Sequence, residues 1–200
     1  MQKGKFITFE GGEGAGKSTQ VKMLAEYLRA QGHEVVITRE PGGTPHAEEI
    51  RNMLLGNNDW DGLSEVLLNF AARNEHVKKV IKPALQHGQW VISDRFFDST
   101  IVYQGYGQGV ELNRIEEIRM ATLGGFAPDI TFVLDIDVDT ALARATDHNR
   151  FEKMGVAFHK KIRDGFLELA KENKRFVVIS AEKDLEFVHK LVIDRIVKFN

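Results

Sequence analysis

The apolar run Lys5-Phe-Ile-Thr-Phe9 leads directly into Glu10-Gly-Gly-Glu-Gly-Ala-Gly-Lys-Ser-Thr19, and this junction decides the fold. Gly11, then Gly12, Glu13, Gly14 and Ala15, then Gly16, Lys17 and Ser18 reproduce the G-x-x-x-x-G-K-[ST] spacing of a phosphate-binding loop. The extra glycines let the backbone wrap close to phosphate oxygens, so that successive N–H groups point at one anion. Lys17 can reach β- and γ-phosphates as a point charge, and the Ser18 hydroxyl is placed to ligate Mg²⁺. Beyond Thr19, the spacing of Val21, Leu24 and Leu28 predicts a helix whose N-terminal dipole adds to the same site. A functionless glycine turn would need neither a strand before it nor a helix after it, and both are present. A nucleoside triphosphate is the expected ligand.

Around this loop the chain has the composition of one globular domain: 200 residues, 42% hydrophobic and 28% charged. A net charge of -2 supplies no basic field for long nucleic acid, so phosphate affinity must come from local Lys and Arg clusters, which suits a small anionic ligand. The absence of cysteine excludes disulfides, thiolate nucleophiles and cysteine-bound zinc, and suits a reducing compartment. The N-terminus has no signal-peptide layout and no apolar run has the length of a membrane span, so a cytoplasmic protein is expected. The seven histidines are scattered without metal-ligand spacing, so no protein-built metal cage is expected.

Five apolar runs read as strands: Lys5 to Phe9, Val35 to Thr38, Trp90 to Ser93, Ile130 to Ile136 and Phe176 to Ser180. Their near-continuous hydrophobicity, with helical periodicity between them, predicts an α/β fold in three layers, a parallel sheet covered on both faces. The last helix is expected to bury Phe187, Leu191, Ile196 and Phe199. In such sheets ligands gather at the carboxyl ends of the strands. There the second strand delivers Arg39 and the third delivers Asp94 and Arg95, an acid placed for Mg²⁺ and a cation able to grip phosphate. Phe70 and Arg73 share a helical face that could stack and bond a base, although a core Phe beside a solvated Arg is the plainer reading. Asp98 to Gly109 reads as a polar binding loop, in which Gln104 carries both a donor and an acceptor. A segment around residues 144–155 reads as a lid. Phosphoryl transfer needs a cation on the migrating group, the loop's variable positions hold Glu13 but no Arg, and Arg144 and Arg150 are placed to supply it.

Taken together, these blocks resemble the bacterial thymidylate kinases nearly end to end. The resemblance is carried by Phe9 to Thr19, Thr38-Arg-Glu-Pro-Gly-Gly-Thr44, Glu49-Ile-Arg51, Phe70-Ala-Ala-Arg73, Asp94-Arg-Phe-Phe-Asp-Ser-Thr100, Tyr103-Gln-Gly-Tyr106 and Ala127-Pro-Asp129. It implies a nucleoside monophosphate kinase fold with strand order 2-3-1-4-5, phosphorylation of dTMP to dTDP by Mg-ATP, and a homodimer formed through helices. It further implies that Phe70 stacks on thymine, that Arg73 and Gln104 bond its edge beside Thr100, and that Arg39 and Arg95 hold the monophosphate with Arg51 close by. Glu13 would lie near the sugar 3′-hydroxyl and Tyr103 under C2′. Within the family the chain is similar to members whose arginines sit in the lid, except that Asn149 stands where Asp commonly precedes Arg150. A kinase for another pyrimidine monophosphate is the alternative within this chemistry. A nucleotide-dependent switch is the alternative outside it.

Overall fold

The computed structural model describes residues 4–56, 59–144, 151 and 154–199. Strands β1 (Phe6–Glu10), β2 (Val35–Arg39), β3 (Trp90–Asp94), β4 (Ile130–Asp135) and β5 (Phe176–Ser180) form one parallel sheet in the order β2-β3-β1-β4-β5. The side chains of β1, β3 and β4 are almost all buried. Edge position opens β2 and β5, where Ile37 and Val178 remain 40% and 45% exposed.

Alternation along the strands sends Ile7, Phe9, Ile92, Phe132 and Leu134 to one face, where they meet Leu24 and Leu28 of α1 (Lys17–Ala30) and Val192 and Ile196 of α9 (Leu185–Phe199). The intervening Phe6 and Val91 face the other way. They pack with Val66 and Phe70 of α3 (Gly62–His76) and Ile115 of α6 (Leu112–Leu123). Beyond them Val133 packs on Ile162 and Phe166 of α8 (Val156–Glu172). Helix α2 (Pro45–Leu55) begins at Thr44, whose hydroxyl accepts the Ala47 N–H, with proline in the first turn. By contrast α1 begins at Gly16 without a capping side chain, which leaves its first N–H groups for an anion.

Two expectations need correction. The buried stripe of α9 is Val188, Val192 and Ile196, and Phe187 is 48% exposed. The helix starts with the Phe187 N–H capped by Asp184, and the four-residue spacing of the smaller side chains is what turns to the sheet. Nor is Asp98 to Gly109 a loop. It forms α5 (Phe97–Thr100), running straight into a π-helical segment, Ile101–Gly107, with Val102, Tyr103, Gln104 and Gly105 buried. Its glycines serve packing: a Cβ at Gly107 would lie 2.7 Å from the Phe158 ring of α8.

Asp98, 1% exposed, is tied to Arg175 just before β5 by two bonds of 2.6 and 2.8 Å, and Arg175 also donates to the Thr131 hydroxyl of β4. This clamp fastens α5, and hence the end of β3, to the sheet. Arg175→Ala strands a buried carboxylate and is expected to cost about 3–5 kcal/mol of stability, read from urea denaturation.

Candidate active site

The carboxyl ends of three adjacent strands lie level, because Asp94 on β3 pairs in register with Phe9 on β1 and Arg39 on β2. Everything at the site hangs from that edge. After β1 the loop turns through Gly11 and Gly14 at positive φ, and a Cβ at Gly14 would sit 1.9 Å from the carbonyl oxygen of Ala141 in α7 (Val138–Arg144). Only glycine passes that point. Lys17, buried, donates its ammonium to the carbonyls of Gly12 at 2.6 Å and Gly11 at 3.2 Å. Burial and the neighbouring Arg95 push its pKa down, opposed by Glu13, Asp94 and Glu10. The Ser18 hydroxyl donates to Asp94 at 2.5 Å. This pair of hard oxygen donors at the mouth of the loop fits Mg²⁺, which takes one or two protein oxygens and completes its shell with phosphate and water. Among the described residues no cluster of three acidic, His or Cys side chains offers a fuller cage.

Arg95 occupies left-handed backbone, φ 70°, an uncommon state for a side chain of its size. Its neighbours hold it there: its N–H bonds to Phe9, its carbonyl accepts from Ser93, and the next N–H, that of Phe96, donates to Glu10 at 2.7 Å. Glu10 also accepts from the Ser99 hydroxyl at 2.6 Å. The resulting turn aims the Arg95 guanidinium at the loop, where it donates to Gly11, Ser99, Glu13 at 2.8 Å and the Tyr103 hydroxyl at 3.1 Å. Burial disfavours the Glu13 charge, but Arg95, Lys17, the Tyr103 hydroxyl and His159 override it and hold that carboxyl at about 2. Glu10 goes the other way. Full burial and Asp98 push it up to about 8, against the pull of Arg95 and its two hydrogen bonds.

On the α3 side, Arg73 is 2% exposed and pairs with the equally buried Glu40 at 2.5 Å. Its Nη2 donates to the Phe96 carbonyl and the Thr100 hydroxyl, while its Nη1 has no protein partner. Glu40 is shared with His76, whose other ring nitrogen meets the Thr38 hydroxyl at 2.6 Å. Gln104 is buried beside this group. Phe70 is not among the residues that line the cavity. Its ring belongs to the apolar cluster with Phe6, Val66 and Phe96, capped by the Arg73 guanidinium 4.7 Å from its centroid. Asn69 lines the cavity instead, because four residues before Arg73 is as good a match to that face as three.

One cavity of about 530 Å³ joins these parts. Arg39 and Arg51 line it, held to Glu48 and to the Pro41 carbonyl, as does Arg144, whose guanidinium donates to Ala181 at 3.0 Å. Burial and Arg39 lower the Arg51 pKa. Among the described residues the lining carries six cations, Lys17, Arg39, Arg51, Arg73, Arg95 and Arg144, against three carboxylates, Glu13, Glu40 and Asp94. That surplus makes it a polyanion site. Also at the wall are Gly14, Gly16, Ser18, Thr19, Thr100, Tyr103, Gln104 and Phe151, whereas Gly11, Gly12 and Ala15 are not. Arg150 and Asn149 lie outside the described residues, as does most of the expected lid. Sequence reading assigned no role to Glu10, Glu40, Glu65, Asn69, His76 and Ser99. Only Glu40, inside the Arg39-Glu-Pro-Gly-Gly block, and Asn69, by its spacing to Arg73, carried a signal.

The sequence profile of the family "Thymidylate kinase" matches residues 9–192. The chain is 45% identical over 204 residues to the thymidylate kinase of Caulobacter vibrioides, covering 99% of this chain and 98% of that protein. It is 51% identical over 196 residues to that of Wolbachia pipientis wMel, covering 96% and 99%. The crystal structure of thymidylate kinase from Ehrlichia chaffeensis superposes with a TM-score of 0.81 at 42% identity, over 97% of this chain and 99% of that one.

The raised Glu10 carboxyl yields a stability prediction. Its folded-state value of about 8 exceeds the ordinary 4.5, so its contribution is present below 4.5 and is lost as pH rises through about 8. Glu10→Gln cannot titrate. Over that window the wild type is expected to lose stability relative to the variant in urea unfolding, and parallel profiles would contradict the assignment.

Proposed function

The chain belongs to the thymidylate kinase family and phosphorylates dTMP with ATP, and we propose how its residues do so. The observation that carries the reading is the single cavity shared by a phosphate loop and a second, arginine-rich recess on the α3 side. Two phosphorylated ligands fit such a space end to end. The loop backbone from Gly11 to Thr19, with Lys17, holds the ATP phosphates, and Arg144 reaches them from α7. Arg39, Arg51 and Arg95 hold the monophosphate. Arg73 and Gln104 bond the base edge with Thr100 beside them, Phe70 backs Arg73 and stacks on the base, and Asn69 adds to the wall. Glu13 faces the sugar and Tyr103 lies beneath it.

In the reaction an oxygen of the dTMP phosphate attacks the γ-phosphorus in line, the new O–P bond forms as the bond to the β-phosphate oxygen breaks, and ADP departs. A phosphate monoester is already largely dianionic at neutral pH, so no side chain need remove a proton. Positioning and electrostatics carry the catalysis. Mg²⁺, held by Ser18 and Asp94, would neutralise charge on the triphosphate. In the described structure both Nη nitrogens of Arg95 meet protein acceptors, so the monophosphate binds its Nε–H or replaces one of these partners. Arg150 adds charge from the lid. The enzyme works in the cytoplasm, where its charged substrates are held.

Lys17→Ala is expected to lower kcat by on the order of 10² to 10³ with little change in the KM for dTMP. ADP release from Mg-ATP, measured with and without dTMP, dUMP, CMP and AMP, tests both this and the substrate; monophosphate-independent hydrolysis would point to a switch.

We propose a homodimer through α2, α3 and α6, which pack side by side and leave Met53, Leu67, Leu112 and Met120 42–52% exposed. Leu67→Glu is expected to sediment as a monomer where the wild type sediments as a dimer.

A further inference from the structure

Glu65 lies on α3 with 0% exposure, among Val66, Phe70 and Ala72. A carboxylate there is costly unless donors meet it. Among its partners are Gln104 Nε2 at 2.9 Å and Gln108 Nε2 at 3.0 Å, both on Oε2. A carboxylate accepts only, so each glutamine must turn its nitrogen toward it. For Gln108 that is a packing matter. For Gln104 it decides chemistry, because Gln104 lines the cavity while Glu65 does not.

We infer that Glu65 is a positioning residue that locks the Gln104 amide with its oxygen toward the base, so that the site reads one hydrogen-bond acceptor beside one donor. The donor is Nη1 of Arg73, buried and without a protein partner, whose orientation Glu40 secures through Nε. Thymine and uracil present N3–H and O4, the matching order. Cytosine presents a bare N3 and an amino group, which set acceptor against acceptor and donor against donor. Sites that leave buried polar groups mismatched reject the wrong ligand strongly, whereas a pocket that weighs only a methyl group cannot. Discrimination against cytosine therefore originates in a residue that never touches substrate. The inference rests on the reading that the α3 side of the cavity takes the base of dTMP.

The test compares kcat/KM for dTMP, dUMP and dCMP in the wild type and in Glu65→Gln, with the melting temperature of each. The variant side chain has the same size but offers either a donor or an acceptor, so Gln104 can turn over. The dTMP-to-dCMP ratio is expected to fall at least about tenfold, through a higher KM for dTMP and a gain with dCMP, while the dUMP-to-dTMP ratio holds. Equal losses for dTMP and dCMP, or a variant that does not fold, would make Glu65 a structural residue and overturn the inference. A wild type that does not prefer dTMP to dCMP would instead remove the underlying assignment of the base.

Discussion

Phosphoryl transfer requires several positive charges in a space dry enough for them to act strongly, yet such charges repel one another until an anion arrives. The structure resolves this conflict with carboxylates. Glu13 neutralises Arg95 beside the loop, Asp94 stands against Ser18 and within the field of Lys17, Glu48 holds Arg39, and Glu40 holds Arg73. Each of these cations is thus held by a protein partner or a neighbouring negative charge. Among the described residues the cavity lining keeps an excess of three positive charges.

The same logic explains why polar groups penetrate so deeply into an apolar fold. Glu10, Glu65, Asp98 and His76 are all within 1% of full burial, and each has a hydrogen-bond partner on a different element. Their bonds cross from β1 to the β3–α5 turn, from α3 to the π-helical segment, from α5 to the start of β5, and from α3 to β2. They act as cross-ties where no apolar contact could define direction. Hydrophobic packing holds the layers together; these directed bonds set how side chains at the strand ends are aimed.

Left-handed backbone at Arg95 belongs with this picture. An extended residue there would continue β3 and carry its side chain to a sheet face. The turn imposed by Glu10 and the Phe96 and Ser99 bonds brings the guanidinium across to the phosphate loop instead. A buried carboxyl group on one strand therefore places a cation on its neighbour.

The loop from Gly11 to Thr19 and the five apolar runs were legible in the sequence because their information is local: glycine spacing, and hydrophobic runs long enough for a buried strand. Sheet order and the family followed from the blocks around Arg39, Asp94 and Tyr103. Tertiary structure decided what depends on phase and on contact across the fold. Asn69 joins the cavity lining, Val188 rather than Phe187 faces the sheet, and the stretch read as a loop around Gln104 is a buried helix, since three- and four-residue spacings cannot be told apart until a neighbour covers one face. Glu10, Glu65 and His76 carried no local signal at all. A buried polar group is recognisable only by the partners that fold against it, and those lie tens of residues away along the chain.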